Sequence, residues 1–160
     1  MPLMRNYVDS DRIRIATWPV YPPEYAELDY ALRINGWIDE FAGKPETHLY
    51  VFEQDGELIA FTILAGTTAG EAEFRIALRA DRLGRGLGKA LTTMTINQGF
   101  TVIQLHRLHL IVRTDNESAK RLYLNSGFVY CGKVSKITNG KQVNYLAMEL
   151  LRDNYKISCL

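Results

Sequence analysis

The stretch Leu83–Leu91 reads LGRGLGKAL, and Gly84, Gly86 and Gly88 fall within five residues just before an apolar helical pattern. Glycine is a poor helix former. Three at a helix start therefore point to a use for bare backbone. The first turn of a helix leaves N–H groups unpaired, and the helix dipole favours negative charge there. Arg75, Arg79, Arg82, Arg85 and Lys89 crowd the same stretch, opposed nearby by Asp81 alone. The chemistry on offer is the cradling of a phosphorylated ligand. Two common phosphate loops do not fit. The ATP/GTP loop needs glycine where the chain has Leu83, and Ser or Thr where it has Ala90. The dinucleotide fingerprint wants glycines at its first, third and sixth positions, whereas these stand first, third and fifth. A glycine-rich turn serving only chain reversal is the plainer alternative.

Other candidate chemistry is thinner. His106 and His109 are three apart on an alternating stretch, which puts them on opposite faces of a strand, so no metal site is expected. Cys131 and Cys159 make neither a metal pattern nor a disulfide framework, and neither is placed as a covalent carrier. The chain has 160 residues, 47% apolar and 23% charged, with a net charge of +1. That composition suits one globular domain, expected over residues 1–152 with a tail at 153–160. The first 50 residues hold eight acids and five bases, and the rest hold ten acids and fourteen bases. One local basic cluster in a near-neutral chain fits a small phosphorylated ligand better than nucleic acid. No apolar run has the length of a membrane span, and MPLMRNYVDS carries no signal-peptide core. A cytoplasmic, reduced setting is expected.

Several elements must position the loop. PLMRNYV is a short strand candidate. SDRIRIATW fits a strand by its Arg12–Ile15 alternation, or a helix capped by Asp9 or Ser10. EYAELDYALRINGWIDEFAG is expected to be helical with a break near Asn35–Gly36. Asp55-Gly56 joins two β-rich runs in a hairpin. AEFRIAL alternates as a strand leading to the loop, and the helix after the glycines is expected to run toward Ile103 despite Gly99. LHRLHLIVR is the next strand, and ESAKRLYLNS a helix stopped at Gly127. FVYCGKVSKI and QVNYLAMEL close the chain as a hairpin over Asn139-Gly140. The pattern is α/β with a mixed sheet.

RLGRGLGKAL after the strand EFRIAL, followed about thirty residues later by NESAKRLYLNSGF, resembles the GNAT superfamily of acetyl-CoA-dependent N-acyltransferases. The resemblance is strongest from Glu71 to Gly132, and its flavour is that of ribosomal-protein N-acetyltransferase-like members. One position departs: the family's loop usually opens with Arg or Gln three residues before the first motif glycine, here Gly86, and that position is Leu83. The resemblance implies a mostly antiparallel mixed sheet with central splayed strands, flanked by helices. It implies acetyl-CoA as co-substrate, with its pyrophosphate on the N–H groups of Arg85, Gly86, Leu87, Gly88, Lys89 and Ala90. The strand ending at Ala77, Leu78 and Arg79 would pair with the amide-bearing arm of the coenzyme, as a peptide adds to a sheet edge.

The same resemblance makes Tyr123 the proton donor to the leaving thiolate, and a backbone N–H near Ala77 an oxyanion donor. A core aromatic beside Ala119 and Leu122 is the alternative for Tyr123. Asn116 would contact the coenzyme arm, cap a helix, or both. Glu73 is the first choice of general base, against a solvated glutamate paired with Arg75, and His109 is a reserve. The acceptor site is expected between the N-terminal helices and either the loop after Asp55-Gly56 or the final hairpin. There YPPEYAELDY offers Glu24, Glu27 and Asp29 with Tyr21, Tyr25 and Tyr30. The expected reaction is direct acetyl transfer to a primary amine of a small molecule or protein, with a homodimer as one assembly. A non-catalytic acyl-CoA-binding sensor or interaction module is the alternative.

Overall fold

The computed structural model describes residues 1–138 and 140–155. Among the described residues, seven strands form one sheet: β1 Leu3–Asn6, β2 His48–Gln54, β3 Glu57–Ala65, β4 Glu71–Leu78, β5 Arg107–Arg113, β6 Val129–Thr138 and β7 Lys141–Leu151. Their order is β1-β2-β3-β4-β5-β7-β6. The β4–β5 pair is parallel and every other pair is antiparallel. The helices are α1 Asp11–Ala16, α2 Trp37–Phe41, α3 Leu87–Asn97 and α4 Glu117–Asn125.

Period-two alternation in the central strands builds a core on each face of this sheet. Phe52, Ile59, Leu64 and Phe74 face α3 and the Phe128 side, where Leu91, Ile96 and Phe100 meet them. Val51, Leu58, Phe61, Ile63 and Ala77 face the N-terminal segment, where Ile15, Trp18, Leu32 and Ile38 cover them. The Asp55-Gly56 hairpin forms as expected, with φ of 54° and 79° at its two corner residues. Both values lie in the left-handed region that a two-residue hairpin turn requires.

The ambiguous Arg12–Ile15 stretch is helical. Asp11 is buried and accepts two hydrogen bonds from Arg5 at 2.8 Å and one from the Val8 N–H, which anchors the first turn of α1. Ile15 is buried while Ile13 stays exposed, the opposite of what a strand with both isoleucines inward would give. The following stretch departs from expectation. Pro23–Leu32 winds as 3-10 turns, and only Trp37–Phe41 is α-helical. Tertiary bonds hold this shape against local propensity. Asp29 ion-pairs with Arg33, whose guanidinium donates to the carbonyls of Ala16 and Trp18. The break falls where expected. A Cβ at Gly36 would stand 2.7 Å or less from three carbonyl oxygens, so only glycine fits.

The long helix α3 continues through a π turn, Gln98–Val102, before Ile103. Asn116 Oδ1 accepts the Ala119 N–H at 3.1 Å and caps α4. Gly127, with φ of 104°, ends α4, and the Phe128 N–H returns to the Tyr123 carbonyl at 3.0 Å. Arg152–Asn154 form a 3-10 turn, and Tyr155 packs on Phe100 with its hydroxyl donating to Asn97. Asn139 of the closing turn and Cys159 of the expected tail lie outside the described residues.

Candidate active site

β4 and β5 share only three rungs, Glu71↔Arg107, Ala72↔Leu108 and Glu73↔His109. Beyond them the strands part, although β4 runs on to Leu78 and β5 to Arg113. A cleft of about 980 Å³ occupies the gap. Its walls are Ile76–Leu78 of β4, Ile111–Arg113 of β5, the glycine loop and α4. The Arg79 N–H donates to Ile59 O at 2.8 Å on the β3 side. Strand alternation then turns the peptide groups of Ile76 and Leu78 into the gap. The Ala77 N–H faces β3 and belongs to that ladder, so the N–H groups near Ala77 that open onto the gap are those of Ile76 and Leu78.

At one end of the gap, Gly84 and Gly86 have φ of 73° and 75°, and nothing lies within 4 Å of where their Cβ atoms would be. These positions keep the loop in the left-handed region and leave its surface open to a bulky anion. The helix start directly behind them supplies unpaired N–H donors. Gly88 has a different reason. A Cβ there would meet Leu122 at 3.3 Å, so this glycine lets α3 approach α4.

The basic cluster seen in sequence is narrower in space. Arg79 is bound by Asp81 at 2.7 Å and Glu57 at 2.9 Å, and Arg82 by Glu57 at 2.8 Å and Gln54 at 2.9 Å. Arg75 pairs with Glu73 at 2.6 Å and lies over the rings of Trp37 and Phe41. Glu57 and Gln54 arrive from the β2–β3 hairpin, far away in sequence, so local spacing could not reveal this neutralisation. Among the described residues, Arg85 and Lys89 keep no ion pair at the loop; Lys89 lines the cleft and Arg85 is exposed. Arg121, Lys136 and Lys141 also line the cleft and were missed, because their strands and helix converge on it only in three dimensions.

Tyr123 belongs both to the aromatic packing and to the cleft lining. Its ring packs edge-on against Phe74 and Phe128 at 6.1 and 5.9 Å, and it lines the cleft. Burial pushes its phenol up to about 12. The hydroxyl thus stays protonated through the physiological range, as a proton donor requires. No hydrogen-bond partner holds it among the described residues.

Ala77, Leu78, Gly86, Leu87, Gly88, Lys89, Asn116 and Tyr123 meet in one cleft. Arg79, Arg85 and Ala90 are not on its lining. Glu73 sits at the last rung before the strands part and faces a separate, shallower hollow of about 440 Å³. It shares a strand face with Arg75 and Ala77, both of which do line the cleft. One wall of the cleft is made by Tyr21, Tyr25, Glu27 and Tyr30, by Trp37 and Glu40 of α2, and by the final hairpin. The Asp55-Gly56 turn contributes nothing to that wall. His106 serves the fold instead. Its ring bonds to the Ala69 carbonyl at 2.9 Å and packs on Gly70. No helix among the described residues is long and apolar enough to cross a membrane.

Residues 10–128 match the model of the acetyltransferase (GNAT) family. Over 110 residues the chain is 31% identical to a spermidine N(1)-acetyltransferase of Escherichia coli, covering 66% of this chain and 59% of that protein. The chain thus spans about 59% of the length of that curated relative. A crystal structure of spermidine N-acetyltransferase from Vibrio cholerae, in complex with CoA and spermine, superposes with a TM-score of 0.73 at 20% identity, covering 96% of each chain. An acetyltransferase of the GNAT family from Streptococcus pneumoniae gives 0.72 at 20% identity, covering 94% of this chain and 99% of that one. At those identities the superpositions speak for the fold. The leaning toward ribosomal-protein N-acetyltransferases is corrected by the Escherichia coli and Vibrio cholerae relatives, which are spermidine acetyltransferases.

Proposed function

Because the chain belongs to the acetyltransferase (GNAT) family, we propose that it moves an acetyl group from acetyl-CoA directly to a primary amine of a small aliphatic polyamine. The observation that carries this reading is the gap between β4 and β5, which joins a phosphate-binding loop to an acceptor wall in one cleft. The coenzyme's pyrophosphate rests on the N–H groups from Arg85 to Ala90. Its amide-bearing arm adds to the open edge of β4 at Ile76 and Leu78, with Asn116 across the groove. The acetyl carbonyl then lies near the gap-facing N–H groups, and the sulfur near Tyr123.

In the transfer, the amine lone pair forms the new C–N bond and the C–S bond breaks. Tyr123 donates its proton to the departing thiolate, and the amine loses one proton to a base. Glu73 is the proposed base, acting through an ordered water. Its support is the strand face it shares with Arg75 and Ala77 beside the cleft. The acceptor class is supported by the relatives' activity, by Glu27 and Glu40 on the wall, and by the flat surfaces of Tyr25, Tyr30 and Trp37, which suit a cationic carbon chain. A cytoplasmic setting and self-association belong to the same proposal.

Isothermal titration with acetyl-CoA, followed by thiol release over an amine panel, tests the reading. Binding with turnover on polyamines supports it. Binding without turnover on any amine supports a non-catalytic sensor instead.

A further inference from the structure

Tyr21 lies outside both motifs, yet it carries a hydrogen bond from the acceptor wall to the open edge of β4. Its hydroxyl donates to the Leu78 carbonyl at 2.7 Å. That carbonyl belongs to a peptide group facing the gap, so the phenol reaches the edge available to the donor's arm. The other end of Tyr21 is equally fixed. Its N–H donates to Asp29 Oδ1 at 3.2 Å. Asp29 is gripped by Arg33 at 2.8 and 3.0 Å, and Arg33 donates to the Ala16 and Trp18 carbonyls at 3.0 and 2.7 Å. These bonds tie the 3-10 segment Pro23–Leu32, which carries Tyr25, Glu27 and Tyr30, to a single peptide of the splayed strand.

We propose that Tyr21 is a specificity-determining positioning residue: its hydroxyl on the Leu78 carbonyl sets the height of the acceptor wall above the reacting centre. This rests on the acetyltransferase reading above. The same peptide that orients the thioester then references the wall that holds the amine. A carbonyl oxygen has two lone pairs, so the phenol and an arm amide can share it. The wall residues hold the amine's chain and charge alike in the ground state and the transition state. Their displacement therefore removes uniform binding, which raises KM and leaves kcat unchanged.

The test is Tyr21→Phe, which deletes one oxygen and keeps the ring. Amine KM is expected to rise at least fivefold, with kcat and the acetyl-CoA Kd each within twofold of the parent. Preference among amines of different length, read as the ratio of their kcat/KM values, is expected to narrow. A purely structural tyrosine would lower kcat and weaken the coenzyme together with Tm. Asp29→Asn, which loosens the opposite end of the tie, is expected to raise the same KM and serves if the first variant does not fold. An unchanged amine KM in a folded variant overturns the positioning role. If the parent chain turns over and Tyr21→Phe matches it, only this inference falls. If the parent releases no thiol with any amine, the acetyltransferase reading falls and takes this one with it.

Discussion

Replacing Tyr123 with phenylalanine removes one hydroxyl and leaves the packing in place. The ring contacts to Phe74 and Phe128, at 6.1 and 5.9 Å, survive the change. The hydroxyl has no described hydrogen-bond partner to strand, so stability should hold, with Tm within about 2 °C. The kinetic cost follows from the leaving group. General acids contribute roughly 10²–10⁴-fold. A thiol of pKa about 8.5 is already a fair leaving group at neutral pH, which places the need at or below the low end of that range. The expected fall in kcat is about 10- to 100-fold, or about 1.4–2.7 kcal/mol of barrier. The acetyl-CoA Kd should change little, because the loop and the β4 edge remain. The pH dependence has a definite sign. The folded phenol titrates near 12, above its ordinary 10, so the protonated donor persists below that value and is lost only as pH rises through it. Tyr123 should therefore contribute no alkaline limb to kcat below about pH 10. Thiol release under saturating amine measures kcat, and calorimetry measures Kd. An unchanged kcat in a folded Tyr123→Phe protein removes this residue from the mechanism.

Two further substitutions probe the loop and the base. Gly86→Ala forces a side chain onto φ of 75° with open space around it, so the cost is backbone strain of about 1–2 kcal/mol, read as a lowered Tm together with a weaker acetyl-CoA Kd. An unaltered Kd would separate the loop from coenzyme binding. Glu73→Gln removes the proposed base and is expected to shift the acidic limb of the kcat/KM profile for the amine; a superimposable profile would end its candidacy.

The hairpins, the capped helix α4 and the strand leading to the glycines were legible because each rests on local chemistry. Asp55-Gly56, Asn116 and Gly127 dictate their own backbone neighbourhoods. The Pro23–Leu32 segment was not legible, since its 3-10 winding depends on Arg33 reaching carbonyls at Ala16 and Trp18. For the site, the glycine loop could be read from a contiguous motif, and Tyr21, Tyr25, Glu27 and Tyr30 from one acidic, aromatic stretch. Trp37, Arg121 and Tyr145 could not be joined to them, because they come from separate parts of the chain. The basic cluster was overcounted for the same reason: Glu57 approaches Arg79 and Arg82 from another hairpin.

The central claim is that one cleft binds acetyl-CoA and delivers its acetyl group to a polyamine. Its most direct test is incubation of the protein with acetyl-CoA and a panel of amines, including spermidine, spermine, amino acids and peptides, with each product read by mass. The account predicts monoacetylated polyamine formed in step with released coenzyme thiol. Acetyl-CoA bound but no acetylated amine anywhere on the panel would contradict it.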